Sequence, residues 1–217
     1  ATIGFMSNAM KQAIAAAAAR WVVEEGLAYG PAKQKAVREM GLSSRQALPD
    51  NDLLEAEVMA YLQCFHADTQ PAQLRALREH ALTWMVRLQA FRPHLSGAVW
   101  RGTATHHSDI HLQLFCDDSK QAEWALLDQG VRFDVSEVNG FRGEKVAALS
   151  IQSFCPGLAE TVGVHLMVHD HDDLRGGLLP DKQGRTDRGD TAALRQLLDN
   201  ARSEEHTSEL QSRETIS

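Results

Sequence analysis

Up to Pro93 the apolar residues fall at the three- and four-residue spacings of helices, and beyond it they begin to alternate. The alanine-rich run Met10–Glu25 reads as a helix stopped by Gly26. Pro31, at a first-turn position, opens a second helix that extends to Gly41. The stretch Leu42–Asp50, with its paired serines and a proline, reads as a loop. A third helix is expected to start near Asp52, with Glu55 placed as in a capping box, and to extend to about Phe65. Thr69 and Pro71 announce a fourth. In it Leu74, Leu77, Ala81, Met85, Leu88 and Phe91 make one buried face, with Trp84 beside them in the core, before Pro93 ends the pattern.

Past Pro93, Gly97–Arg101 and Asp109–Cys116 read as strands and Ser119–Gln129 as a short helix ending at Gly130. Val131–Val138 and Glu144–Phe154 read as strands on either side of an Asn139-Gly140 turn, a hairpin signal. Thr161–His169 alternates again. After a loop rich in Gly, Pro and Asp, Asp190 caps a last helix that holds Leu194, Leu197 and Leu198. The expected fold class is α+β, a helical N-terminal half with a mixed sheet of four or five strands. Three regions follow: 1–68 helical, 69–201 α/β, and a tail, 202–217, of different origin. The tail is set apart because Arg202–Ser212, RSEEHTSELQS, resembles the translation of a common sequencing-library adapter. On that expectation the native sequence continues differently after about Ala201, and Met6 and Met10 are both plausible starts.

Composition excludes several classes. With 217 residues, 43% of them apolar, the chain can bury a core without staples. A formal charge of −7 leaves no broad basic field for non-specific nucleic-acid binding. No apolar run reaches the roughly 18–20 residues that span a bilayer, and Ala13–Ala19, closed by Arg20, reads as helix rather than leader. Cys64, Cys116 and Cys155 are odd in number and widely spaced, which argues against a disulfide framework or a structural zinc site and for a reducing cytoplasm. Lys33, Lys35, Arg38 and Arg45 read as a solvated basic face. The phosphate-loop, dinucleotide, zincin and serine-hydrolase motifs are absent from the sequence.

One segment carries chemistry. Gly97–Leu114 reads GAVWRGTATHHSDIHLQL. Glycine lets backbone N–H groups approach phosphates closely, and Arg101 beside such a turn is a natural phosphate partner. Alternation puts Asp109, His111 and Gln113 on one strand face and Ile110, Leu112 and Leu114 on the other. The segment resembles the signature of the nucleotidyltransferase superfamily (the DNA-polymerase-beta-like fold), whose short members carry a pattern close to GSxARGxAxxxSDIDL. Gly97 falls on its first Gly, Arg101-Gly102 on Arg-Gly, Ala104 on Ala, Ser108-Asp109-Ile110 on SDI and Leu112 on the last Leu. The resemblance implies a nucleotidyltransferase-like sheet, a nucleoside triphosphate as ligand, and a divalent cation, Mg²⁺ or Mn²⁺ ahead of Zn²⁺. It assigns Gly97, Arg101, Gly102, Thr103 and Ser108 to the substrate side, with Asp109 and position 111 as the metal-binding pair. Two carboxylates at such spacing hold two Mg²⁺ ions about 3.5–4 Å apart.

Two departures matter. Ala98 replaces a phosphate-contacting Ser, and His111 replaces the second Asp. Mg²⁺ prefers oxygen ligands, whereas imidazole suits Zn, Mn or Fe. The third acidic position falls on Asp134, or else on His165, whose strand puts His165, Met167 and His169 on one face. The candidate catalytic set is therefore Asp109, His111 and Asp134, and the metal set Asp109, His111 and His165. His106 and His107 read as solvated loop residues, and His169-Asp170-His171-Asp172-Asp173 resembles a chelating cluster but reads as a polar turn. The expected protein is bacterial and cytoplasmic, a nucleotidyltransferase-like pseudoenzyme with a degenerate metal site that binds a nucleotide or a protein partner. The alternatives are an active enzyme moving a nucleoside monophosphate from NTP to a hydroxyl or amine, and an antitoxin-like or regulatory interaction module.

Overall fold

The computed structural model of the chain describes residues 2–43, 45, 47–175 and 186–214. It divides into two compact units, Ala1–Gln73 with Thr103–Ser108, and Leu74–Gly102 with Asp109–Ser217.

The first unit is built on α1 (Thr2–Glu25), α2 (Tyr29–Glu39) and α3 (Asn51–Phe65). Its core sets Ile14, Ala15, Ala18 and Ala19 of α1 against Ala32, Ala36 and Val37 of α2 and Leu54, Val58 and Leu62 of α3, none more than 5% exposed. Alanines fill most of α1's share, so the helices approach closely and tolerate little added volume. Gly26 is needed twice. Its φ of +66° suits glycine, and a Cβ there would lie 2.9 Å from the Cβ of His107. The cap of α3 is Asp50 rather than Asp52: its Oδ1 accepts from the Leu53 N–H at 2.8 Å, and Asp52 sits in the first turn, where the helix dipole favours a negative charge. The expected solvated basic face is not what Lys33 and Lys35 form. Lys33 is buried and donates to Asn51 Oδ1, while Lys35 lies 3.4 Å from the centroid of Trp21 and pairs with Glu25.

The second unit holds most of α4 (Gln70–Arg87), then β1 (His94–Ser96), α5 (Gly97–Arg101), β2 (Ile110–Phe115) and α6 (Ser119–Asp128). It continues with β3 (Asp134–Asn139), β4 (Lys145–Cys155), β5 (Glu160–His169), β6 (Arg188–Asp190) and α7 (Thr191–Glu214). The fold class is α+β, with seven α-helices and one mixed sheet among the described residues. The six strands run in the order β3-β4-β5-β2-β1-β6, and the pair β2–β5 is parallel while the others are antiparallel.

One sheet face is apolar. Leu95, Ile110, Leu112, Leu114, Leu149 and Leu166 are each 0% exposed. Helix α4 covers it with Leu77, Ala81 and Met85, and its Trp84 donates to Ser153 Oγ at 3.1 Å. Leu126 of α6 and Leu194 of α7 complete the core.

Three expectations change. Gly97–Arg101 is a helical turn, not a strand. Gly97, at φ +73°, turns the chain out of β1, and Gly102, at φ +92°, closes the helix. Arg78 of α4 donates to the carbonyls of Val99 and Trp100, each at 3.0 Å, so a five-residue helix is held by tertiary bonds. β6 is an additional strand, three residues long and so too short to show a period. The β3–β4 connection is a five-residue loop rather than a two-residue turn, because Asn139 still pairs with Lys145 and Gly140 N–H bonds the Glu144 carbonyl at 2.7 Å.

Candidate functional site

The other sheet face is polar, and strand register sets one residue from each strand into a single row. From edge to edge it reads Asp134, Ser150, His165, His111, Ser96 and Arg188. Residues opposite one another in a sheet project to the same side, so His111 and His165 stand side by side. Their rings stack at 5.1 Å between centroids, 24° apart.

Asp109 ends the loop that enters β2. Its Oδ1 accepts from the Gly163 N–H at 3.0 Å and its Oδ2 faces His165 Nε2 at 3.0 Å. His165 Nδ1 lies 2.9 Å from Ser150 Oγ. In the neutral ring the carboxylate accepts a hydrogen bond from Nε2–H and the serine donates to Nδ1. An activated nucleophile has the same connectivity, but Ser150 sits mid-strand, where neighbouring N–H groups are committed to the ladder. The relay therefore orients His165 rather than activating Ser150.

His111 is held neutral. Burial pushes its pKa down, the charges of His165 and Arg101 push the same way, and only Asp109 opposes them. A Cβ at Gly97 would lie 3.6 Å from the His111 ring, so the glycine turn rests directly against that imidazole. Arg101 ends α5, is exposed, and is near enough for its charge to act on His111.

Thr103 and Ser108 belong to the first unit, where Thr103 is buried and Ser108 Oγ accepts from the Thr105 N–H at 3.0 Å. His106 and His107 are in that unit too, exposed, with ring centroids 3.8 Å apart. Asp134 is exposed on the edge strand β3, three strands from His111, or about 14 Å at ordinary strand spacing. Ser150 and Gly163 were not singled out by the sequence. A hairpin turn placed at Pro156–Ala159 would have found Ser150, since it fixes that residue opposite His165, whereas Gly163 follows from the parallel pairing of β2 with β5.

This donor set does not fit a pair of Mg²⁺ ions. Both oxygens of Asp109 already accept hydrogen bonds, and the two neighbouring positions are imidazoles. Among the described residues, the side chains that converge closely enough for a cation are Glu144, His169 and Asp173, a different set.

Gly163 gives a direct check on the Asp109 geometry. A Cβ there would lie 2.7 Å from both Cγ and Oδ1 of Asp109. Gly163→Ala is expected to cost about 1–3 kcal/mol in the otherwise unchanged protein and distinctly less in an Asp109→Ala background. Urea melts of the four proteins in that double-mutant cycle measure the coupling, and additive losses would mean the carboxylate does not sit over Gly163.

No helix among the described residues is long and apolar enough to cross a membrane. No protein-family model matches the chain and no curated protein matches it, so the resemblance at Gly97–Leu112 rests on those residues alone.

Proposed function

We propose that this is a nucleotidyltransferase-like protein that binds a nucleoside triphosphate along the β2 strand and does not transfer its nucleotidyl group efficiently. One observation carries the reading: position 111, where the resemblance places a metal-binding carboxylate, and position 165, one of its two places for the third, are adjacent in register and are both histidine. The glycine turn at Gly97, the Arg101 guanidinium and the His111 ring lie at one end of that pair. Replacing carboxylates by imidazoles removes like-charge repulsion against a polyphosphate, so binding needs less help from a cation than it does in a two-metal enzyme. The free thiols of Cys64, Cys116 and Cys155 support a cytoplasmic location.

Calorimetric titration with ATP, GTP, CTP and UTP, each without metal and with Mg²⁺ or Mn²⁺, tests the reading. Saturable binding is expected, weakened about tenfold, or about 1.4 kcal/mol, by Arg101→Ala and by His111→Ala. Mg²⁺-dependent transfer by the wild type, lost in Asp109→Ala, would instead establish an active enzyme. Flat titrations from a well-folded protein would remove nucleotide binding altogether and direct the search to protein partners.

A further inference from the structure

We propose that Glu144, His169 and Asp173 form a binding site for one divalent transition-metal ion, Zn²⁺ by preference, at the far end of the polar sheet face from Asp109. The three residues come from three segments: the β3–β4 loop, the last residue of β5, and the 3₁₀ turn His171–Arg175. One ligand atom from each lies within 4.8 Å of the others.

The hydrogen bonding around His169 sets its tautomer. Gln113 donates through Nε2 to Ser96 Oγ at 3.0 Å and to Met167 Sδ at 3.7 Å, which fixes the amide so that Oε1 faces His169 Nε2. An amide oxygen only accepts, so Nε2 carries the proton and Nδ1 is left with a bare lone pair. His169 is 3% exposed, and its Nδ1 is fully buried with no hydrogen-bond partner among the described residues. Glu144 Oε1 is in the same condition, while its Oε2 accepts from the Arg142 N–H at 2.8 Å. Two unpartnered acceptors, His169 Nδ1 and Glu144 Oε1, therefore belong to one group with the Asp173 carboxylate, and a cation relieves both at once.

The ring is also held in place. Phe141 stacks on His169 with centroids 3.9 Å apart and 14° between planes, and Phe115 lies 5.5 Å away. A metal-ligating histidine whose other N–H is held by a carbonyl is a recurrent arrangement, because that bond fixes ring orientation and raises ligand basicity. Bond lengths of about 2.0–2.2 Å in a tetrahedral shell put zinc ligands about 3.3–3.6 Å apart, so side chains whose ligand atoms lie within 4.8 Å of one another close on the ion by up to about an ångström and a half. One nitrogen and two carboxylates favour Zn²⁺ or Co²⁺ over Mg²⁺ and Ca²⁺. The competing cations are arginines. Arg142 Nη2 lies 3.3 Å from Asp173 Oδ1, and the Arg188 guanidinium sits 4.0 Å from the Phe141 centroid.

The test uses the full chain, stripped with a chelator and titrated with Co²⁺, whose visible absorption reports ligand geometry, and then with Zn²⁺ in competition. One ion per chain is expected, with affinity falling at least about tenfold in Glu144→Gln and in Asp173→Asn. These isosteric changes spare the packed His169 ring. His106→Ala/His107→Ala and Asp109→Asn are expected to leave uptake unchanged, which separates this site from the vicinal histidines and from the β2 strand. Absence of uptake would mean that Arg142 and Arg188 already neutralise the carboxylates, and it would overturn the proposal. Uptake that survives either isosteric substitution, or that is lost with His106 and His107, would overturn it equally.

Discussion

Leu112→Ala is expected to lower the unfolding free energy by about 3–5 kcal/mol, near the top of the range for such truncations. Leu112 is 0% exposed and lies in the interior of the sheet, with Leu95 of β1 and Leu166 of β5 opposite it in register. Both neighbours are also 0% exposed, and strands on each side hold the β2 backbone, so the walls of the new cavity cannot collapse inward. Against a typical total of about 5–15 kcal/mol, the loss is large enough to read from a urea melt. The midpoint should fall with an unchanged slope. A loss under about 1 kcal/mol would mean that the leucine row does not pack as described.

Acidification is expected to destabilise the second unit, and buried histidines give the direction. Burial pushes the pKa of His80, His94 and His111 below the usual histidine value. His94 Nδ1 bonds the Arg92 carbonyl at 2.8 Å, and His80 Nε2 lies 2.8 Å from Ser153 Oγ against the core side of the sheet. At pH 8 these rings are neutral in both the folded and unfolded chain and contribute no pH dependence. As the pH falls through about 6.5 the unfolded chain takes up protons that the native rings refuse. Stability then drops with a slope approaching about 1.4 kcal/mol per pH unit for each such ring, until the pH reaches the native values and the loss levels off. A net fall in stability between pH 7 and pH 5 follows from the linkage. His94→Gln should make the fall shallower in a melt series across that range. A stability that instead rises on acidification would show these rings protonated in the native state.

How far the chain could be read depended on where each element's stability originates. Helix α3 and the buried stripe of α4 were legible because their apolar spacings are local, although the cap of α3 lay two residues earlier than expected. Strands β4 and β5 were legible because alternation is local too, whereas their pairing as a hairpin was not. Helix α5 was not, since its last carbonyls are satisfied by Arg78 from another helix. Asp109, His111 and His165 could be named from the sequence, but their alignment with Ser150 depends on register between distant strands. Glu144 illustrates the same limit: the run His169–Asp173 looks chelating by itself, yet its third partner comes from a loop whose fold brings it back to the end of β5.

The register that lines up the polar row also separates it from the leucine layer. His111 and His165 alternate with Ile110, Leu112, Val164 and Leu166, so each imidazole is partly exposed while its chain neighbours are buried. Histidine and aspartate codons differ only in their first base. Either position can therefore become acidic by one nucleotide change without touching the residues that keep the sheet folded. A lineage carrying this backbone can exchange imidazoles and carboxylates in this row in single steps while the leucine layer beneath it stays unchanged. A change of chemistry by this route is reversible, whereas one that damaged the core would first have to be repaired.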